Sequence, residues 1–141
     1  MGNIYEIKEE QDRVILVGIC INEKDDTKAS LKELKELVKT AGGLCLATVI
    51  QNREAIHPGT YLGKGKIEEL REMAEQLKAT GIVCDDELSP AQLANLEDAL
   101  QLKVMDRTLI ILDIFAAHAS TSEGKIQVEL AQLRYRATRL V

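Results

Sequence analysis

Four apolar runs alternate with three segments of helical periodicity over the first 106 residues, and few architectures accommodate that order. Residues 13–22, Arg-Val-Ile-Leu-Val-Gly-Ile-Cys-Ile-Asn, form a nearly unbroken β-branched run, as a strand covered on both faces would. Similar, shorter runs span Leu44–Ile50, Ile82–Asp85 and Leu102–Met105. Between the first two, Ser30 and Glu33 are spaced as a capping box, Leu31, Leu34, Leu37 and Val38 repeat at helical intervals, and Gly42-Gly43 stops the segment. A polar loop from Asn52 to Pro58 leads to a second helix, with Ile67, Leu70, Met73, Ala74 and Leu77 inward and Gly81 as its close. The third has a strong start signal: Ser89 as N-cap, Pro90 in the first helical position and Gln92 as reciprocal partner, followed by Leu93, Leu96, Ala99 and Leu100. Strand–helix alternation calls for an α/β fold, a four-stranded mostly parallel sheet with helices on both faces. This body ends near Asp106, dividing the chain into an α/β subdomain, 1–106, and a helical extension, 107–141.

The extension carries Leu109, Leu112, Ala116, Ala119, Ile126, Leu130, Leu133, Ala137 and Leu140 at steps that alternate three and four once Glu123 fills the gap. That is a heptad line, the pattern of a helix packed on another helix. Its constant phase favours one helix of about 34 residues, roughly 50 Å long. A break at Ser120–Gly124, with Ser120 and Glu123 capping a restarted helix, is the alternative. Leu109 to Phe115 is expected against the body, whereas Ile126, Leu130, Leu133, Ala137 and Leu140 form a helix-partner surface. An uncovered stripe of that length predicts self-association of this chain.

Charge separates the two parts. The net charge is −5, with residues 1–106 carrying −7 and residues 107–141 carrying +2. With one Phe, three Tyr and no Trp, the chain has little with which to stack single-stranded bases. Cys20, Cys45 and Cys84 sit in apolar runs without metal-ligand spacing, which predicts free thiols in a reducing compartment. No apolar run reaches 18 residues and the N-terminus lacks a signal-peptide pattern, so a cytoplasmic protein without membrane attachment is expected.

Several constellations could carry chemistry. Gly63-Lys64-Gly65-Lys66 opens a helix, where backbone amides and two ammonium groups could hold a phosphate. The spacing is not the G-x-x-x-x-G-K-[ST] of a P-loop, and a tight glycine turn explains it as well. Asp85-Asp86-Glu87 lies where a parallel sheet presents its carboxyl edge and could bind a hard cation such as magnesium. Those acids also suit the helix dipole just before Ser89. His57 and His118 have no neighbouring sequence context for nucleophilic or metal chemistry, and no catalytic residue is nominated. Lys125, Arg134, Arg136 and Arg139 surround the far end of the extension, either as a solvated face or as contacts to phosphate oxygens.

Four ordered motifs carry a resemblance: Thr60-Tyr61-Leu62-Gly63-Lys64-Gly65-Lys66, Asp85-Asp86-Glu87-Leu88-Ser89-Pro90-Ala91-Gln92-Leu93, Asp106-Arg107-Thr108 and Gly124-Lys125-Ile126-Gln127-Val128-Glu129-Leu130-Ala131-Gln132-Leu133. Together they resemble the N-terminal region of the HflX family of ribosome-associated GTPases, with His118 standing where an Arg is common. The resemblance implies an α/β subdomain and a pair of long antiparallel helices directed at the large ribosomal subunit and its rRNA, in ribosome splitting or rescue. It implies GTP and Mg2+ as cofactors of a separate GTPase domain, and a second helix, both beyond the position matching Val141. The sequence holds no P-loop, so GTP hydrolysis by this chain alone is not expected. The resemblance also leaves room for ATP or GTP binding by the α/β body near Gly63–Lys66.

Overall fold

A computed structural model describes residues 11–22, 26–118 and 122–137. The elements run β1 (Arg13–Ile21), α1 (Thr27–Thr40), β2 (Leu44–Arg53), α2 (Lys64–Leu77), β3 (Gly81–Cys84), α3 (Pro90–Leu100), β4 (Lys103–Asp106), α4 (Arg107–His118) and α5 (Ser122–Ala137). The strands form one sheet in the order β2-β1-β3-β4, and every pairing is parallel. All four carboxyl ends therefore lie along one edge, the place where open α/β sheets present loops for function.

Alternating side chains of β1 divide the core in two. Ile15, Val17 and Ile19 join Ile82, Cys84 and Val104 under α2 and α3, whose Ile67, Leu70, Ala74, Leu96 and Leu100 cover that face. Val14 and Leu16 join Val83 and Met105 on the opposite face under α1 and α4, through Leu31, Leu34, Val38, Leu109 and Ile110. Gly18 permits the close seating of α1, because a Cβ there would lie 3.0 Å from both Leu31 and Thr27 side-chain carbons.

Local signals held unevenly. The Ser89 capping box forms as expected, with Gln92 N donating to Ser89 Oγ at 3.1 Å and Ser89 N to Gln92 Oε1 at 2.9 Å. Ser30 and Glu33 do not cap α1, which starts earlier, at Thr27. Thr27 is buried and its hydroxyl donates to Ile19 O, so tertiary contact extends the helix past the local signal. Gly81 does not close α2 either. Lys78 does so with φ 58°, leaving Gly81 to begin β3.

The heptad line favoured one continuous helix, but the described residues form two, with α5 folded back along α4. Gln132 Nε2 donates to Asp113 Oδ1 at 2.6 Å, whereas 19 residues of straight helix would separate them by roughly 28 Å. The helical extension is thus interrupted between His118 and Ser122, with Ser122, Glu123 and Gly124 already helical, and the capping role expected of Ser120 lies outside the described residues. The physical cause of the interruption is a second apolar line that the heptad count passed over: Val128, Ala131 and Tyr135 are half-buried, and Tyr135 packs against the α1–α4 core. The heptad residues face outward, with Ile126, Leu130 and Leu133 exposed by 57%, 44% and 62%; Ala137 is exposed too, and Leu140 lies outside the described residues. At the start of α4, Leu109 and Ile110 are buried as expected, but Phe115 is exposed.

Candidate functional site

The connection from β2 to α2 builds one side of the carboxyl edge. His57 and Tyr61 pair through their backbones, and His57 Nδ1 accepts from Gly59 N at 3.0 Å and Thr60 N at 3.1 Å. Two side chains of α3 hold this loop: Gln92 Nε2 donates to His57 O at 2.9 Å and Asn95 Nδ2 to Gly59 O at 2.8 Å. The loop turns Tyr61 inward at φ 67° and buries it completely. Its hydroxyl donates to Asp86 Oδ2 at 2.7 Å.

Asp106, at the end of β4, fills the other side and is 3% exposed. Its Oδ1 caps α4 by accepting from Leu109 N at 3.1 Å, while Oδ2 accepts from Leu88 N at 2.9 Å and from the Tyr135 hydroxyl. The next residue, Arg107, reaches backwards across the edge. Its guanidinium donates to Asp85 Oδ1 at 2.7 Å, to Glu33 Oε1 at 2.7 Å and to Ser30 O at 2.8 Å. Burial works against the charge on Arg107, but the bonds to Asp85 and Glu33 outweigh it and raise its pKa.

These contacts give two of the three acids at this edge protein partners. Asp85 serves Arg107, Asp86 serves Tyr61, and Glu87 is exposed. Among the described residues no group of three or more His, Cys, Asp or Glu side chains is placed to hold a metal ion. The three acids, adjacent in sequence, diverge because successive side chains at a strand end point in different directions.

Gly63–Lys66 does lie at the start of α2. Gly63 N donates to Gln51 Oε1 at 3.0 Å, and no side chain caps the helix. Lys66 is paired with Glu69 at 3.3 Å, while Lys64 is exposed. A Cβ on Gly63 would come within 2.6 Å of Arg53 Nη1, so this glycine makes room for a side chain of β2. On α5, Lys125 and Arg134 are exposed; the Arg136 side chain and Arg139 lie outside the described residues.

The arrangement contains anchored acids, an anchored arginine and a buried phenol, and its polar groups hold three connections and the α4–α5 pair in place. Motif spacing did not reveal this. The signal available was that Tyr61, Asp86, Gln92, Asp106 and Arg107 all belong to the ordered motifs, which meet here as one hydrogen-bonded edge.

Residues 28–116 match the family described as GTP-binding GTPase N-terminal. Along all 141 residues the chain is 67% identical to the GTPase HflX of Lacrimispora saccharolytica, covering 100% of this chain and 33% of that protein. This chain belongs to the HflX family. A second HflX GTPase, from Caldanaerobacter subterraneus subsp. tengcongensis, is 46% identical over 136 residues, or 96% of this chain and 31% of that protein. The chain thus spans about a third of the length of the curated HflX relatives it matches. A crystal structure of a GTP-binding protein from Sulfolobus solfataricus in complex with GDP superposes with a TM-score of 0.64, covering 92% of this chain and 38% of that one. At 23% identity, that likeness concerns the fold. No described helix is long and apolar enough to cross a membrane.

The buried edge makes HflX-type packing sensitive to alkali. Burial pushes the Tyr61 phenol far above its ordinary value, with the charges of Cys84 and Asp86 adding to the effect. The Cys84 thiol is raised by burial and then by Asp106. Raised acids are kept protonated by the fold, so their contribution is complete below the unfolded pKa and is lost as pH rises above it. Stability is expected to hold to about pH 8.5, then fall by about 1.4 kcal/mol per pH unit as Cys84 is engaged and about twice that above pH 10. Urea unfolding at intervals from pH 8 to 11 reads this directly, and a flat profile contradicts it.

Proposed function

We propose that this chain acts as the ribosome-directed N-terminal region of an HflX-type GTPase, a module that engages the large ribosomal subunit and its rRNA. In this reading it supports ribosome splitting or rescue through shape and phosphate contacts in the cytoplasm. Hydrolysis of GTP with Mg2+ belongs to a P-loop domain outside this sequence. The observation that carries the reading is family membership along the entire chain, combined with a sequence that holds no G-x-x-x-x-G-K-[ST]. The exposed Lys125 and Arg134 on α5 suit phosphate contacts, and Arg136 and Arg139 extend the same basic segment.

Co-sedimentation with purified large and small subunits over a range of salt tests this. The chain is expected to pellet with large subunits, less so as salt rises, and Lys125→Gln/Arg134→Gln is expected to weaken binding several-fold. Failure to pellet with large subunits at any salt overturns the reading.

A second reading has one favourable observation. The first turn of α2 has no side-chain cap, and apart from Gly63, whose amide is bonded to Gln51, its leading amides at Lys64–Lys66 suit a nucleotide phosphate. Calorimetry with ATP and GTP, repeated on Lys64→Gln/Lys66→Gln, decides it: heat that depends on the two lysines supports it, and no heat removes it.

The outward stripe of α5 also needs a partner, which in the intact protein would be the second helix of the pair. Alone, this chain is expected to self-associate through Ile126, Leu130 and Leu133, all exposed. Sedimentation equilibrium should show a concentration-dependent dimer that Leu130→Glu/Leu133→Glu abolishes. A monomer at all concentrations contradicts this.

A further inference from the structure

Helix α1 carries Lys28, Lys32, Lys35 and Lys39 at steps of four, three and four. At about 100° per residue these fall within an arc of roughly 60° and form one row about 16 Å long. All four are exposed, and among the described residues none lies within ion-pair distance of a carboxylate. The buried line of α1, Leu31, Leu34 and Val38, is turned toward the sheet, so the lysine row lies on the flank. On this flank Lys28, Lys32 and Lys35 line a shallow groove with Leu31, Thr48 and Ile50, over β2, the edge strand among the described residues. Arg107, Ser30 and Glu33 occupy the other flank, toward α4.

This segregation runs against the rest of the body. Residues 1–106 carry a net charge of −7, and elsewhere in the body Lys66, Arg71 and Lys103 are paired with Glu69, Glu68 and Asp12. On α1 the neighbours along the row are other lysines, and each like-charge pair at such spacing costs about 0.2–0.5 kcal/mol of helix stability. Glu36 lies one step round from Lys32 and forms no ion pair with it.

We infer that the α1 lysine row is a phosphate-contact surface for the backbone of double-stranded RNA. The inference rests on the ribosome-directed reading and adds to it a second basic surface, on the α/β body rather than on α5. Lysines are compact charges on flexible stems, suited to following phosphates without base readout. A single strand read by stacking is disfavoured, because the chain has four aromatic residues and Tyr61 is fully buried. An acidic peptide adding a strand to β2 is disfavoured too. The β1–β2 register shifts between Val14 and Ile15, and bulges of this kind disturb an edge for further pairing.

Fluorescence anisotropy with a labelled 16-base-pair RNA duplex, titrated over a range of salt, tests the inference with wild type, Lys32→Gln/Lys35→Gln and Lys103→Gln. The double variant is expected to bind about tenfold more weakly, and its log Kd against log salt slope should drop by about 2. Lys103→Gln, on the opposite edge strand, should bind as wild type does. Thermal melting should show the double variant as stable as wild type, since it removes like-charge neighbours. Unchanged duplex affinity in the double variant overturns the inference. So does tighter binding of polyglutamate than of duplex, which would assign the row to an acidic protein. If the lysine variant loses nothing while wild type still pellets with large subunits, the inference fails and the ribosome-directed reading survives.

Discussion

Replacing Asp106 with alanine is expected to cost about 3–5 kcal/mol of folding stability, among the largest effects of any single polar substitution in the chain. One carboxylate, 3% exposed, accepts from the backbone of Leu88, the backbone of Leu109 and the hydroxyl of Tyr135. Alanine leaves two buried amides and a phenol without their acceptor and removes the cap of α4. Asp106→Asn separates shape from charge: its amide NH2 must face one of those donors, so a loss of about 2 kcal/mol is expected. Chemical unfolding of the two variants is the measurement, together with Tyr135→Phe. If the hydrogen bond couples α5 to the body, the Asp106 and Tyr135 effects will be less than additive. Full additivity, or a loss below about 1 kcal/mol for Asp106→Ala, contradicts this role.

Tyr61→Ala is expected to have an effect of similar size, about 3–5 kcal/mol, because it empties a fully buried aromatic site. The contribution of the hydroxyl is smaller. Tyr61→Phe keeps the ring among Leu62, Leu88 and Leu96 and removes only the donor to Asp86, costing about 1–2 kcal/mol at neutral pH. The same variant has a pH signature. Without the phenol, the extra loss of stability that begins above about pH 10 should disappear, leaving the part that begins near pH 8.5 from Cys84. A Tyr61→Phe profile that parallels wild type to pH 11 would assign the alkaline loss to other groups.

Much of the body was legible because its signals are local and strong. Strand runs backed by β-branched residues, and Ser89-Pro90 with Gln92, specify elements with little help from tertiary context. The start of α1 was misread because Thr27 gains burial and a bond to Ile19 O that no sequence window contains. The helical extension was misread for a related reason. A heptad line tells which residues form an apolar stripe, but not whether that stripe faces the body. Val128, Ala131 and Tyr135 face inward, and Tyr135 gains a buried partner in Asp106, 29 residues earlier.

The edge network was legible only as motifs. Asp85 and Asp86 are adjacent acids at a strand end, where their type alone suggests a cation. Their partners, Arg107 and Tyr61, are 22 and 25 residues away, and only the sheet brings them together. Gly63–Lys66 stayed ambiguous for the opposite reason: its features are local, and a helix start with glycines looks the same with or without a ligand.

The most direct test of the central claim is competition between this chain and an intact HflX GTPase for isolated large ribosomal subunits, read by co-sedimentation of the labelled intact protein. If the chain is the ribosome-directed part, increasing amounts should displace the intact protein from large subunits, with no GTP turnover by the chain itself. Undiminished binding of the intact protein at saturating chain would contradict the account.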